Sequence, residues 1–197
     1  MQFRIGILGG SFDPIHLAHL EAAQIARESS VLDFVYLVPA GNPYHREQVV
    51  ASSEQRRAMC ELVAHEHDWL YVSTVDLDRP GNTYTIDTIR DLTREFIGQH
   101  PNDSVEWFLI LGADAYHSFP KWKDPEGIAQ NVRIIVVARP GEQHEKVEKF
   151  PCDFIDVPGW EISSTEIRLK VERKESIVQL VTPKVNEYIQ AHTLYIN

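Results

Sequence analysis

No stretch of this chain approaches the roughly 18 to 20 consecutive apolar residues that a membrane helix needs. The first residues also show no basic region running into an apolar segment and a cleavage site. The expectation is a soluble cytoplasmic protein with no membrane partner. Cysteine is scarce: Cys60 and Cys152 make two, too few and too widely spaced for a disulfide framework or a thiolate metal site, which suits a reducing compartment. Basic residues are in deficit, with 19 Lys and Arg against 29 Asp and Glu and a formal net charge of -10. A surface for duplex nucleic acid needs the opposite balance, so nucleic acid is excluded as a bulk partner. A small anionic ligand needs only a few local donors and is not excluded. Three familiar signatures are missing as well. There is no Gly-x-Gly-x-x-Gly, no Gly-Lys-Ser or Gly-Lys-Thr closing a phosphate loop, and no helical His-Glu-x-x-His.

What is present is ordinary in bulk and specific in detail. A hydrophobic fraction of 43% and a charged fraction of 24% over 197 residues suit one globular domain with a proper core. Phe3, Ile5, Ile7 and Leu8 read as a buried strand over 3–8. The stretch Gly9-Gly10-Ser11-Phe12-Asp13-Pro14-Ile15-His16-Leu17-Ala18-His19 follows, as a glycine turn leading into a helix over 15–28. A helix N-terminus after a strand is where an α/β protein holds an anion. His16 and His19, three residues apart, would share a face of its first turns. A zinc site would want a third ligand; imidazole N–H groups aimed at phosphate oxygens fit better.

The pattern then repeats. Strands are expected over 32–39, 70–75, 107–111, 133–139 and 154–157. Helices are expected from Ser52 or Ser53, over 85–97, from Asp124-Pro125, over 164–171 behind the capping box Ser163-x-x-Glu166, and from Thr182-Pro183. Six short strands separated mostly by helices predict an α/β fold with a doubly wound parallel sheet. It forms a single domain over 1–197 with a small C-terminal helical part over 163–197. The loop 39–46, just past a strand end, lies on the ligand-bearing edge of such a sheet, 76–82 is a second loop, and 141–149 is polar enough for a mobile surface loop.

The segment from Gly10 to His19 resembles the phosphate-binding motif of the nucleotidyltransferase superfamily with paired histidines. Within that superfamily the whole chain is similar to the family of bacterial nicotinate mononucleotide adenylyltransferases. The resemblance runs through Val38 to Arg46, Tyr84 to Thr88, Phe108 to Asp114, Pro120 to Trp122, Val137 to Gly141 and Ile162 to Arg168. It implies a Rossmann-like fold and adenylyl transfer from ATP to nicotinate mononucleotide, dependent on Mg2+, with deamido-NAD and pyrophosphate as products. The catalytic group would be His16, His19 and Arg168. Gly9, Gly10, Ser11, Phe12, Arg46, Gly112, Asp114, Arg139, Ile162, Ser163 and Ser164 would join them in holding ATP, with no metal ligand among the side chains. Thr85, Asp114 and Trp122 would bind the second substrate, the indole stacked on its ring and donors meeting its carboxylate.

On the residues alone, Trp122 fits a core aromatic equally well, Asp114 a turn or helix cap, and Arg168 a solvent-facing or salt-bridged arginine. Two positions depart from the family pattern. Ala18 stands where glycine is usual between the histidines, and His45-Arg46 stands where a lysine commonly follows the prolines of the second loop. Alternative activities are adenylyl transfer to nicotinamide mononucleotide or to a phosphopantetheine, or a nucleotide-binding regulator without turnover. Self-association into a homo-oligomer is compatible with the sequence and is not legible in it.

Overall fold

The computed structural model describes residues 1–43, 49–138, 147–157 and 162–196. The expected site residues Arg46 and Arg139, and most of the polar segment 141–149, lie outside them.

In chain order the elements are β1 (Gln2–Gly10), α1 (Leu17–Ser30), β2 (Phe34–Pro39), β3 (Asn42–Pro43), α2 (Ser53–Ala64), β4 (Leu70–Val72), β5 (Asn82–Thr83) and α3 (Thr85–Gln99). They continue as β6 (Ser104–Gly112), α4 (Ala113–Ser118), a single 3-10 turn (Phe119–Lys121), α5 (Pro125–Asn131), β7 (Val132–Ala138), β8 (Cys152–Asp156), α6 (Ser164–Glu172) and α7 (Pro183–Ala191). Six strands form one parallel sheet in the order β4-β2-β1-β6-β7-β8, and β3 pairs β5 in a two-residue parallel ladder. The fold expectation holds. The chain builds outward from β1 in one direction, returns, and builds from β6 in the other, so the crevice between the ends of β1 and β6 is a topological switch point.

Alternation along the strands sets the two faces. Phe108 and Ile110 of β6 join Leu8, Val35, Leu37, Met59, Ile167 and Val185 in one core. Trp107, Leu109 and Leu111 join Ile5, Ile7, Ile86, Ile89, Leu92, Phe96 and Ile128 in the other. Period-two side chains thus place α1, α2, α6 and α7 on one face and α3 to α5 on the opposite one.

Some boundaries differ from expectation. Gly9 and Gly10 are not a turn. They are the last residues of β1, paired with Val38 and Pro39, because the parallel ladder to β2 runs on to the end of that strand. The turn is the segment 11–16, in which Phe12 takes a positive φ of 49°. Gly10 is required there for space: a Cβ on it would lie 3.0 Å from the Phe12 ring folded beneath. Helix α1 starts at Leu17, not at residue 15, and α4 with its 3-10 extension was not foreseen. Its few residues carry too little periodicity to register as an element.

Candidate active site

At the end of β1 the chain crosses the switch point and enters α1 through His16. This residue is the N-cap, extended at φ -145° and ψ 172°, with its carbonyl already accepting from the N–H groups of His19 at 3.0 Å and Leu20 at 3.3 Å. His16 is therefore not on a helical face, as expected, but at the cap. The pairing survives the change. The His16 N–H donates to His19 Nδ1 at 3.3 Å, which places the proton of a neutral His19 on Nε2. The two rings stack with centroids 3.7 Å apart and planes 26° from parallel. No acidic residue occupies the first turn of α1, although Asp13 before it and Glu21 one turn on line the same lobe.

The loop under the histidines is tied down from four directions. Arg56, 1% exposed on the core face of α2, donates to the Ser11 carbonyl at 2.7 Å and to the Gly41 carbonyl at 3.4 Å. Arg168 Nη1 donates to the Asp13 carbonyl at 2.8 Å, and the Ser164 hydroxyl to the Pro14 carbonyl at 2.9 Å. The Asp13 carboxylate accepts from Val50 N–H at 2.7 Å, Ala51 N–H at 3.1 Å and the Tyr195 hydroxyl at 2.8 Å. Burial works against the Arg56 charge and the Asp13 carboxylate works for it. None of Asp13, Arg56 or Tyr195 was singled out from sequence. Arg56 did carry a signal, an arginine in register with Met59, Cys60 and Val63 at core spacing. A buried arginine in an apolar stripe needs acceptors brought to it.

Two lobes open from the crevice. The first, about 570 Å³, is lined by Thr85, Trp122, Asp76, Tyr84, Lys121 and Lys123 among others. The second, about 680 Å³, is lined by His16, Ala18, His19, Gly112, Ile162, Ser163, Ser164 and Arg168 among others. Gly9, Gly10, Ser11, Asp114 and Trp122 line both. A Cβ on Gly9 would meet nothing within 4 Å, so that backbone faces open cleft. The sequence expectation thus separates in space: the histidines and the Ile162–Arg168 segment on one side, Thr85 on the other, the glycines and Asp114 between them. Phe12 lines neither lobe. It is fully buried and meets the edge of His19 at 5.0 Å, so its side chain supports the site from beneath and does not enter it.

Helix N-termini face both lobes. In α6, Ser163 Oγ accepts from Glu166 N–H at 3.1 Å and Ser164 has given its only hydroxyl proton to Pro14. The donors left at this end are therefore the first-turn backbone N–H groups and the Ser163 hydroxyl, which accepts through Oγ and keeps its proton, while that of Ser164 is committed. In α3, Thr85 is the first residue after the extended N-cap Tyr84. Trp122 follows the 3-10 turn, its indole N–H donating to Ser118 Oγ at 3.2 Å and its ring tilted against Phe119 at 5.4 Å. It is half-buried, a docking aromatic that also lines both lobes.

Behind Thr85, Asp76 is 7% exposed. It accepts from Thr88 Oγ1 at 2.6 Å and Arg79 Nη1 at 3.0 Å, while Arg79 also pairs Asp91. Burial raises the Asp76 carboxyl above its usual range against the pull of Thr88 and Arg79.

A family model described as cytidylyltransferase-like matches residues 7–170. The chain is 41% identical to a protein of Dictyoglomus turgidum named probable nicotinate-nucleotide adenylyltransferase, over 98% of this chain and 95% of that one. It is 43% identical to one of Thermus thermophilus with the same name, over 98% and 99%. Among solved structures, Plasmodium falciparum nicotinic acid mononucleotide adenylyltransferase complexed with NaAD superposes with a TM-score of 0.77 at 22% identity, over 98% of this chain and 97% of that one. At that identity the likeness concerns the fold.

Proposed function

The chain belongs to the cytidylyltransferase-like family, and from that membership we propose that its cleft joins ATP to nicotinate mononucleotide, giving deamido-NAD and pyrophosphate in the biosynthesis of NAD. One observation carries the reading. Two lobes of different chemistry meet at the end of β1, with stacked imidazoles and the α6 N-terminus in one, the α3 N-terminus in the other, and the Trp122 indole bordering both.

In this reading the triphosphate lies in the second lobe, between the His16 and His19 rings and the first turn of α6, with Arg168 at its side. The Gly10 and Ser11 backbone and Gly112 border its path, and Ala18 presents a methyl to it. Asp114, shared by both lobes, takes ribose hydroxyls. The nicotinate ring stacks on Trp122 and its carboxylate meets N–H groups at the start of α3, where Thr85 sits. Arg46 and Arg139 complete the proposed ATP contacts from outside the described residues.

A phosphate oxygen of the mononucleotide attacks the α-phosphorus of ATP. A new P–O bond forms as the bond to the β-phosphate oxygen breaks, and pyrophosphate leaves with the electron pair. The attacking phosphate is already ionised near pH 7, so no side chain must remove a proton. The protein supplies alignment and charge: His19 Nε2–H and the α6 N–H groups face phosphates on which charge increases. Among the described residues no group of three His, Cys, Asp or Glu could hold a metal ion, so Mg2+ fits this cleft as a companion of the triphosphate and not in a protein cage. When bound, it neutralises part of the phosphate charge.

Among the described residues no helix is long and apolar enough to cross a membrane, and we place the enzyme in the cytoplasm among its small-molecule substrates. Pyrophosphate release with ATP and Mg2+, comparing nicotinate mononucleotide with its amide, tests the reading. Release with the acid is expected. A clear preference for the amide would defeat the substrate assignment, and no release with any acceptor would leave a binding protein.

A further inference from the structure

The loop 11–16 hands its backbone oxygens to Arg56, Arg168 and Ser164, while the one carboxylate it turns inward, that of Asp13, is 2% exposed. That carboxylate has two fixed backbone donors, Val50 and Ala51, and one side-chain donor, Tyr195, which comes from the far end of the chain. The Arg168 guanidinium stands 3.8 Å from Asp13 Oδ2, close enough for attraction and too far for a formed hydrogen bond.

Tyr195 reaches this point at a conformational cost. Thr193 and Tyr195 adopt φ values of 52° and 62°, a left-handed region unfavourable for a β-branched and a bulky residue. The bonds Thr193 N–H to Gln190 O at 3.2 Å and Leu194 N–H to Ile189 O at 3.0 Å fold the segment back. Burial beside the Asp13 charge raises the Tyr195 ionisation far above the working range, so the hydroxyl remains a donor. Packing alone would be met by a phenyl ring; the hydroxyl is what reaches Asp13.

We propose that Tyr195 is a positioning residue for ATP: its hydroxyl holds Asp13 Oδ1, which fixes the loop carrying His16 and keeps the Arg168 guanidinium, whose Nη1 is bonded to the Asp13 carbonyl, from closing on the carboxylate and turning off the phosphate lobe. This rests on reading the second lobe as the ATP site. Tyr195 lines neither lobe, so its effect passes through Asp13. Without the hydroxyl, Asp13 Oδ1 keeps only the Ala51 N–H, and the carboxylate is free to rotate and bring an oxygen within bonding distance of Arg168 Nη1, now 3.8 Å from Oδ2, drawing that cation off the phosphates.

The test compares Tyr195→Phe with Leu194→Ala, which loosens the same buried turn by packing alone. Calorimetry reads the affinity for a non-hydrolysable ATP analogue and, separately, for nicotinate mononucleotide; thermal melts read stability. Tyr195→Phe is expected to weaken the ATP analogue about tenfold, the size of a lost charge-assisted hydrogen bond, with affinity for the mononucleotide unchanged. Leu194→Ala is expected to lower Tm with the ratio of the two affinities kept. An unaltered ATP affinity in Tyr195→Phe, or an equal weakening of both ligands like that of Leu194→Ala, would overturn the proposal. Wild-type protein that binds both ligands yet releases no pyrophosphate would overturn the activity and leave the role of Tyr195 standing.

Discussion

His19 is held by its own backbone neighbour: the His16 N–H occupies Nδ1 and directs the donor Nε2–H outward. Its replacement by alanine removes the proposed phosphate donor without opening the core. Turnover, read as pyrophosphate release, is expected to fall about tenfold to a hundredfold, with circular dichroism unchanged. Tyr116 gives a pH test of a different kind. Its hydroxyl donates to the Phe150 carbonyl at 2.6 Å and accepts from Val147 N–H at 3.1 Å, and burial, with a contribution from Cys152, pushes its ionisation up to about 12. The unfolded chain ionises near 10, so the folded state holds this proton more tightly. That contribution to stability is complete below pH 10 and is lost as pH rises through about 12. Thermal melts from pH 9 to 12 should show the decline in the wild type and a shallower one in Tyr116→Phe.

Among the elements, the helix N-termini bear the site. Ser163 closes α6 through its bond to Glu166 N–H, and Ser163→Ala should cost about 1 kcal/mol in urea unfolding and weaken ATP binding. At α3, Asp87 lies in the first turn, where its charge would repel a substrate carboxylate. Lys123 at 2.9 Å and Arg90 at 2.9 Å neutralise it. Burial would raise the Asp87 carboxyl, yet the bond and charge of Lys123, with Arg90, hold it below its usual range. Lys123→Met should therefore reduce the preference for acid over amide by about threefold, a partly exposed ion pair being worth well under 1 kcal/mol. Trp122→Ala should raise KM for nicotinate mononucleotide and leave KM for ATP nearly unchanged, in initial-rate measurements with each substrate varied.

For the molecule as a whole, the C-terminal residues are part of the main core. Ile167, Val185, Ile189, Leu194 and Tyr195 share one buried cluster with Leu8, Phe12 and Ile15. The expected C-terminal helical part is therefore no separate unit in packing terms, and Tyr195 ties it to the loop after β1. Urea unfolding is expected as one transition, with fluorescence and circular dichroism coincident. A chain cut before residue 163 should not fold, since it would expose the Phe12 and Ile15 face; a stable truncated fragment would refute this.

By itself the sequence determined the α/β class, the order of the six sheet strands and of every helix but α4, the caps at Asp124, Ser163 and Thr182, and the pairing of His16 with His19. Each follows from local periodicity or from a side chain bonding a nearby backbone group. Tertiary structure decided the rest. It made Gly9 and Gly10 strand residues, because a ladder depends on the neighbouring strand. It set Phe12 beneath the cleft, spent the Ser164 proton on Pro14, and brought Arg56, Asp13 and Tyr195 together. Those contacts join residues far apart in the chain, and no local pattern encodes a partner that only the folded sheet brings near.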